Sequence, residues 1–205
     1  MYTIRPAAQT DIPAISRLLV QLYAAELPGA LKGPVDKQAE MFHFTFEANG
    51  EIALKHRYVV CDSNGSIVGT GMIQFPSEPE FERAPDGTLS KALHILGFLN
   101  SLQLFITVAR SLVGVQKNRN PESATIHSVV TDTSQRGKGL GALLMTHLEA
   151  QIRDRGLKYA VLQVIEKNVE AIPFYTKLGY KKISQSPWWV SLLAWSSFMM
   201  EKPLI

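Results

Sequence analysis

Apolar and polar positions alternate through residues 2–7 (YTIRPA), and beyond Thr10 the period lengthens: Ile12, Ile15, Leu18, Leu19 and Leu22 recur three and four apart. Alternation marks a strand with one buried face, and the longer period marks a helix with one apolar side. The pattern predicts a first strand and then a helix that Thr10 or Asp11 caps, with Pro13 tolerated in its first turn. A Pro/Gly-rich connection at 27–34 leads to a second helical stretch, DKQAEMFHFTFEANG, closed by Asn49 and Gly50. Residues 57–61 and 66–75 read as strands, and the Asn-Gly pair of DSNGS between them predicts a hairpin.

The pattern changes at residues 76–121. An acidic, proline-bearing segment, PSEPEFERAPDGT, precedes the apolar LSKALHILGFLNSLQLFITVARSLVGVQK. Residues 92–109 carry no formal charge and, at roughly 18 residues, are the length of a marginal transmembrane candidate. Against a membrane span, Asn100, Gln103, Thr107, Arg110, Gly114 and Lys117 recur at alternating three and four spacing. They give the stretch one weakly apolar face, so an amphipathic helix or helix pair packed on protein is expected. After the insertion the order is regular: strand 124–131, a glycine-rich turn, helix 140–155 ended by Gly156, strand 159–165, a short helix running to Leu178, and strand-like segments near Lys181 and Phe198. Strand, helix, strand, helix, strand predicts an α/β layered domain with at least one right-handed crossover.

Composition adds bounds. With 205 residues, 46% of them hydrophobic and 19% charged, the chain can bury one sizeable core, and a single domain over 1–205 is expected. The net charge of +3 is too small to imply nucleic acid, but from Arg110 onward thirteen Lys/Arg stand against seven Asp/Glu. A small polyanionic ligand accounts for that excess. Cys61 is the single cysteine, so no internal disulfide can form, and the opening MYTIRPAAQTDI lacks the basic-then-apolar pattern of a signal peptide. A cytoplasmic protein is the expectation.

The chemistry concentrates in TDTSQRGKGLGALL, residues 131–144. Three glycines and two cations stand where a strand gives way to a helix, a combination that suits phosphate. A nucleotide P-loop is excluded, because the glycine spacing is wrong and no hydroxyl follows the lysine. Gly137, Gly139 and Ala142 match the loosened dinucleotide fingerprint, with Glu166 ending the next strand. DTSQR intervenes after the strand, however, and too little chain remains for a double βαβ sheet. The stretch RGKGLG at 136–141 matches the acyl-CoA-binding pattern Q/R-x-x-G-x-G/A, and residues 129–183 resemble the central portion of the GCN5-related N-acetyltransferases from end to end. IRPAAQTDIPAI is similar to that family's first strand and helix, and FMMEKPL to its last strand.

The resemblance implies a mixed sheet of about seven strands flanked by helices, with 76–121 as a helical insertion between the third and fourth strands. It implies acetyl-CoA as cosubstrate and an amine-bearing small molecule or peptide as acceptor, with no metal. The coenzyme would meet backbone at Val129, Val130 and Thr131 and the turn formed by Arg136, Gly137, Lys138, Gly139, Leu140, Gly141 and Ala142. Asn168 resembles the residue that bonds the pantetheine arm. Tyr175 resembles the tyrosine that donates a proton to the coenzyme A thiolate, a task a phenol can perform if held near the sulfur. At His127 many members carry a carboxylate, whereas the arylalkylamine acetyltransferases have a histidine, whose ordinary pKa near 6.5 suits proton removal. Glu166 and water are the other candidates for the base, and a backbone N–H of residues 129–131 is the candidate oxyanion donor. A bulge that splays two parallel strands is usual in the family. A non-catalytic acyl-CoA-binding protein of the same fold is the alternative. The insertion's apolar residues and Trp188, Trp189, Val190, Leu192, Leu193 and Trp195 both interrupt the family pattern. They are expected to pack together beside the acceptor end of the cleft, as an apolar wall, a homodimer contact or both.

Overall fold

The computed structural model describes residues 2–29, 31–76, 78–79, 84–113, 116, 118 and 120–204. Its elements follow the order β1 (Thr3–Pro6), α1 (Ile12–Glu26), α2 (Val35–Asn49), α3 (Glu51–Leu54), β2 (Arg57–Cys61), β3 (Ile67–Gln74), α4 (Thr88–Val113) and β4 (Ser123–Thr131). Then come α5 (Leu140–Asp154), β5 (Tyr159–Ile165), α6 (Ala171–Lys177), β6 (Lys181–Gln185), α7 (Val190–Leu193) and β7 (Ser197–Pro203). The strands form a seven-stranded sheet in the order β1-β2-β3-β4-β5-β7-β6. All neighbours are antiparallel except β4 and β5. The parallel pair is the β4-α5-β5 crossover that the periodicity predicts, and the hairpin at Asn64 and Gly65 joins β2 to β3.

Strand alternation divides the core into two layers. Val60, Ile73, Ile126, Ala160, Leu162 and Met200 face α5 and α6, where Leu144, Met145, Leu148 and Ile152 meet them. Val59 and Cys61 face the other way, against Ile12, Ile15, Leu19 and Phe46 of α1 and α2. At the entrance to α1, Asp11 does not cap forward. Its carboxylate accepts from the Ala8 N–H at 2.8 Å and pairs with both Arg5 nitrogens at 2.6 and 2.9 Å.

The insertion corrects one expectation. Helix α4 breaks at Gly97 (φ 75°), so it is a helix pair, and Ala92 and Ile95 dock it on Met41 of α2. Of its polar residues, Thr107 and Ser101 are buried, whereas Phe98, Leu99, Leu102 and Leu112 are exposed. Much of the apolar face is thus left outside. Gly114, Val115 and Lys117 lie outside the described residues. Among those described, Thr88–Val113 is one helix long and apolar enough, by length and composition, to cross a membrane. Trp188, Trp189, Leu192 and Leu193 are likewise exposed. The two segments meet as expected: the Arg110 Nε donates to the Leu193 carbonyl at 3.2 Å, and the guanidinium lies 4.4 Å from the centre of the Trp195 ring.

Candidate active site

Strands β4 and β5 pair only over Ser123↔Tyr159, Ala124↔Ala160 and Thr125↔Val161, at the start of β4. Beyond that they diverge. The cause is visible in the β3–β4 register, where Thr70 faces Val130 but Met72 faces His127, so β4 holds one residue more than its partner. Ser128 is at the centre of this bulge, with φ at 56°, a conformation that costs a residue with a Cβ about 1–2 kcal/mol. The extra residue reverses the alternation, turning Val129 toward the α5 layer, where it packs on the core. Asp132 donates its N–H to the Val68 carbonyl at 2.8 Å. By the alternation of an antiparallel ladder, Val130 also addresses β3 and Thr131 directs its N–H the other way, toward the β5 side.

The gap opens into a cleft of about 650 Å³. His127, Gln163 and Ile165 line it on the α1/α2 side, and Leu162 and Tyr175 line it from the opposite layer, so the cleft passes between the strands. The ends of α1 and α4 close it over: Leu22, Tyr23 and Glu26 from one, Arg110 and Ser111 from the other, with Trp195 beside them. The insertion and the tryptophan segment therefore supply part of the wall, and the part they supply includes a cation and a hydroxyl.

The glycine turn follows the end of β4 and leads into α5. Gly137 and Gly139 both have φ of 78°, a left-handed conformation that favours glycine, and Gly139 is the N-cap of α5 without a side chain to satisfy the helix's first N–H groups. A Cβ added at either glycine would meet no protein atom within 4 Å, so the turn is open. Gly141 differs. A Cβ there would come 3.1 Å from the Phe174 ring, so this glycine serves the contact of α5 with α6 instead of clearing room for a ligand. Arg136 is 3.6 Å from Glu170, and the Lys138 Nζ donates to Gln135 at 2.7 Å, both pairs at the exposed surface. Leu140 is buried, so only its backbone can take part. An open helix start flanked by two cations fits a pyrophosphate.

Tyr175 stacks edge-on between Phe174 at 5.1 Å and Tyr180 at 5.8 Å, and the Tyr180 hydroxyl is anchored on Glu149 at 3.0 Å. Burial, then the negative charge of Glu26, push the Tyr175 phenol above its ordinary range, so it keeps its proton at neutral pH. The Asn168 Oδ1 accepts the Ala171 N–H at 3.1 Å and so starts α6, leaving its Nδ2 as the donor on that side. The His127 Nδ1 is 3.3 Å from the Ser128 hydroxyl, in the cleft and beside the bulge. Glu166 is exposed, accepts from Gln185 at 3.3 Å and does not line the cleft.

Two cleft residues escape sequence reasoning. Burial raises the Glu26 carboxyl to about 7. Arg57, at the start of β2, is buried, and burial lowers it to about 10, so it remains protonated at neutral pH. Glu26 is a lone carboxylate at a helix end and Arg57 a lone cation at a strand start. Nothing local in the sequence marks either as facing a cavity.

A family model described as "Acetyltransferase (GNAT) family" matches residues 19–180. The chain belongs to this acetyltransferase family. Among solved structures it is similar to the ribosomal-protein-S18-alanine N-acetyltransferase from Escherichia coli (18% identity, 100% of this chain and 94% of that one, TM-score 0.53). It is also similar to Ard1 from Thermoplasma volcanium (18%, 100% and 98%, 0.56) and to a GCN5-related N-acetyltransferase from Kribbella flavida (16%, 98% and 97%, 0.59). At these identities the likeness is one of fold, which in this chain is a mixed seven-stranded sheet flanked by helices, with α4 between β3 and β4.

Proposed function

We propose that the protein transfers the acetyl group of acetyl-CoA directly to a primary amine of a small molecule or peptide. The observation that carries this reading is the gap between β4 and β5, which opens into a cleft lined by the Tyr175 phenol and the Glu26 carboxylate, in a chain whose β4 leads to the open helix start at Gly139. Acetyl-CoA supplies an activated thioester, and the chain's own groups do the rest. The N–H groups at the start of α5, with Arg136 and Lys138, hold the pyrophosphate; Asn168 holds the pantetheine arm. Thr131 offers its N–H where charge grows on the carbonyl oxygen. The amine nitrogen bonds to the carbonyl carbon as the carbon–sulfur bond breaks. Tyr175 gives its proton to the departing sulfur, and the proton lost by the amine goes to a cleft base. Glu26 and His127 both face the cleft. Glu26 is assigned here because its affinity for a proton, near pH 7, suits accepting one from an amine, and His127 is left to shape the acceptor side of the bulge.

Thiol release from acetyl-CoA with a panel of primary amines tests the reading. Turnover above the hydrolysis background is expected, and its absence across the panel, with acetyl-CoA bound, would favour a non-catalytic acyl-CoA-binding protein. Binding has its own test. Gly139→Val places a β-branched residue at φ 78° and is expected to abolish acetyl-CoA binding in titration calorimetry while the circular dichroism spectrum is retained. Unchanged affinity would remove the turn from the site.

Replacing residues 87–120 by a short Gly/Ser linker takes Arg110 and Ser111 out of the cleft wall. The shortened protein is expected to lose selectivity within the amine panel. An unchanged ranking of amines would show that the insertion is not part of the acceptor site.

A further inference from the structure

Arg57 is the buried cation of the cleft, and the fold does not fully satisfy it. Its Nε donates to the Ala53 carbonyl at 3.2 Å, and Nη2 meets only the Met72 sulfur at 3.3 Å, a weak acceptor. The guanidinium lies 5.1 Å from the centre of the Phe46 ring. Nη1 is buried and has no partner. Among the described residues Arg57 forms no salt bridge. A guanidinium held out of water without a counter-ion is a standing cost to the fold, and a chain that needed only bulk here could use Met or Leu at less expense. The position also has a direction. Arg57 borders the cleft on the α1/α2 side, the side on which Glu26, His127 and Gln163 also line it. Glu26 is not paired with it: among the described residues no salt bridge or hydrogen bond joins the two. One cleft thus holds a buried cation and a half-buried acid that do not neutralise each other. Leu19, Leu22 and Phe42 line the space on the same side.

We propose that Arg57 is the anion-recognition residue of the acceptor site, and that the acceptor is a primary amine that also carries a carboxylate or similar small anionic group on an apolar body. This rests on the acetyl-transfer reading above. In such a molecule the ammonium addresses Glu26 and the anionic group takes the Arg57 guanidinium, whose buried Nη1 turns toward the cleft to meet it, so each unpaired group gains its complement. A guanidinium bound to a carboxylate makes a charge-assisted hydrogen bond, which a neutral acceptor could not replace. A simple amine would leave the cation buried and unpartnered, and sites with an unpaired polar group reject such analogues strongly.

The test compares acids with the same molecules lacking the acid: leucine with isoamylamine, phenylalanine with phenethylamine, and their dipeptides to distinguish a free amino acid from a peptide. In the wild-type protein kcat/KM is expected to fall at least about a hundredfold when the carboxylate is removed. Arg57→Gln is expected to bring that ratio close to one, and Arg57→Lys to retain part of it. Equal rates for acids and matched amines in the wild type, or a ratio unchanged in Arg57→Gln, would overturn the proposal while leaving acetyl transfer intact. If no member of the panel turns over, the acetyl-transfer reading fails. The Arg57 assignment is then decided by thermal shift with N-acetylleucine against N-isoamylacetamide: stabilisation by the acid alone, lost in Arg57→Gln, supports it, and equal response to both overturns it. The wild-type comparisons hold whether or not the variants fold.

Discussion

Tyr175→Phe is expected to lower the rate of acetyl transfer by about 10²-fold or more, with acetyl-CoA affinity little changed. The substitution keeps the ring, and with it the edge-on contacts to Phe174 and Tyr180. It removes only the hydroxyl. Burial and the nearby Glu26 charge raise the phenol's affinity for its proton, so it stays protonated at every pH at which the protein works. It is a weak acid in the resting site and becomes a useful one only opposite a thiolate forming as the carbon–sulfur bond breaks. The loss should therefore fall on kcat and equally on kcat/KM, the signature of an interaction made in the transition state alone. Acetyl donors whose sulfur leaving group is already a good one, as in an aryl thioester, should be less affected. An undiminished rate in Tyr175→Phe would make Tyr175 a core aromatic and nothing more.

Much of the frame is legible in the sequence because it rests on local signals. Alternation in residues 57–61 and 66–75, joined by Asn64 and Gly65, forms the β2–β3 hairpin, and RGKGLG between an apolar strand and an apolar helix forms the β4-α5 turn with its two left-handed glycines. The bulge has no such signal. Its strained residue is Ser128, not a glycine, and the register shift exists only relative to β3. Helix α4 shows a different failure. Its polar stripe is real, but periodicity says only that two faces differ, and the inference that the polar one meets solvent assumes a nonpolar interior. Here Thr107 of the stripe is buried while Phe98, Leu99 and Leu102 are exposed, so the stripe does not mark the solvent side. The same reason hides Glu26 and Arg57. They lie thirty-one positions apart in sequence, on a helix end and a strand start, and only the packing of α1 and α2 over the sheet brings both to one cavity.

For Glu26→Gln, activity and stability are expected to move in opposite directions. As the base, Glu26 must be deprotonated, so kcat/KM for wild type should rise with pH through a limb near 7, where burial has placed the carboxyl, and Glu26→Gln should lose that limb and about 10²–10⁴ in rate. His127→Ala, measured alongside, should keep the limb; if His127→Ala loses it and Glu26→Gln retains it, the roles are exchanged. The stability effect has a definite sign. In the unfolded chain the carboxyl titrates near its ordinary 4.5, whereas in the folded protein it holds its proton up to about 7. Between those values the folded state binds more protons than the unfolded, so the stability conferred on the fold falls as pH rises from about 4.5 to about 7. Below that window the neutral acid costs little, and above it a charge is buried. Glutamine is neutral at every pH, so the variant should be flat where the wild type declines and should exceed it at pH 8 by up to about 3 kcal/mol in denaturant unfolding. Arg57 and Tyr175 share the cleft, and neither titrates in that window under the shifts that burial imposes on them. A residue that loses rate and gains stability on the same substitution is one the fold would be better without, retained for what it does to the substrate. A Glu26→Gln variant as active as wild type would show that the carboxyl is not the base, and one no more stable at pH 8 would show that it is not buried as a charge.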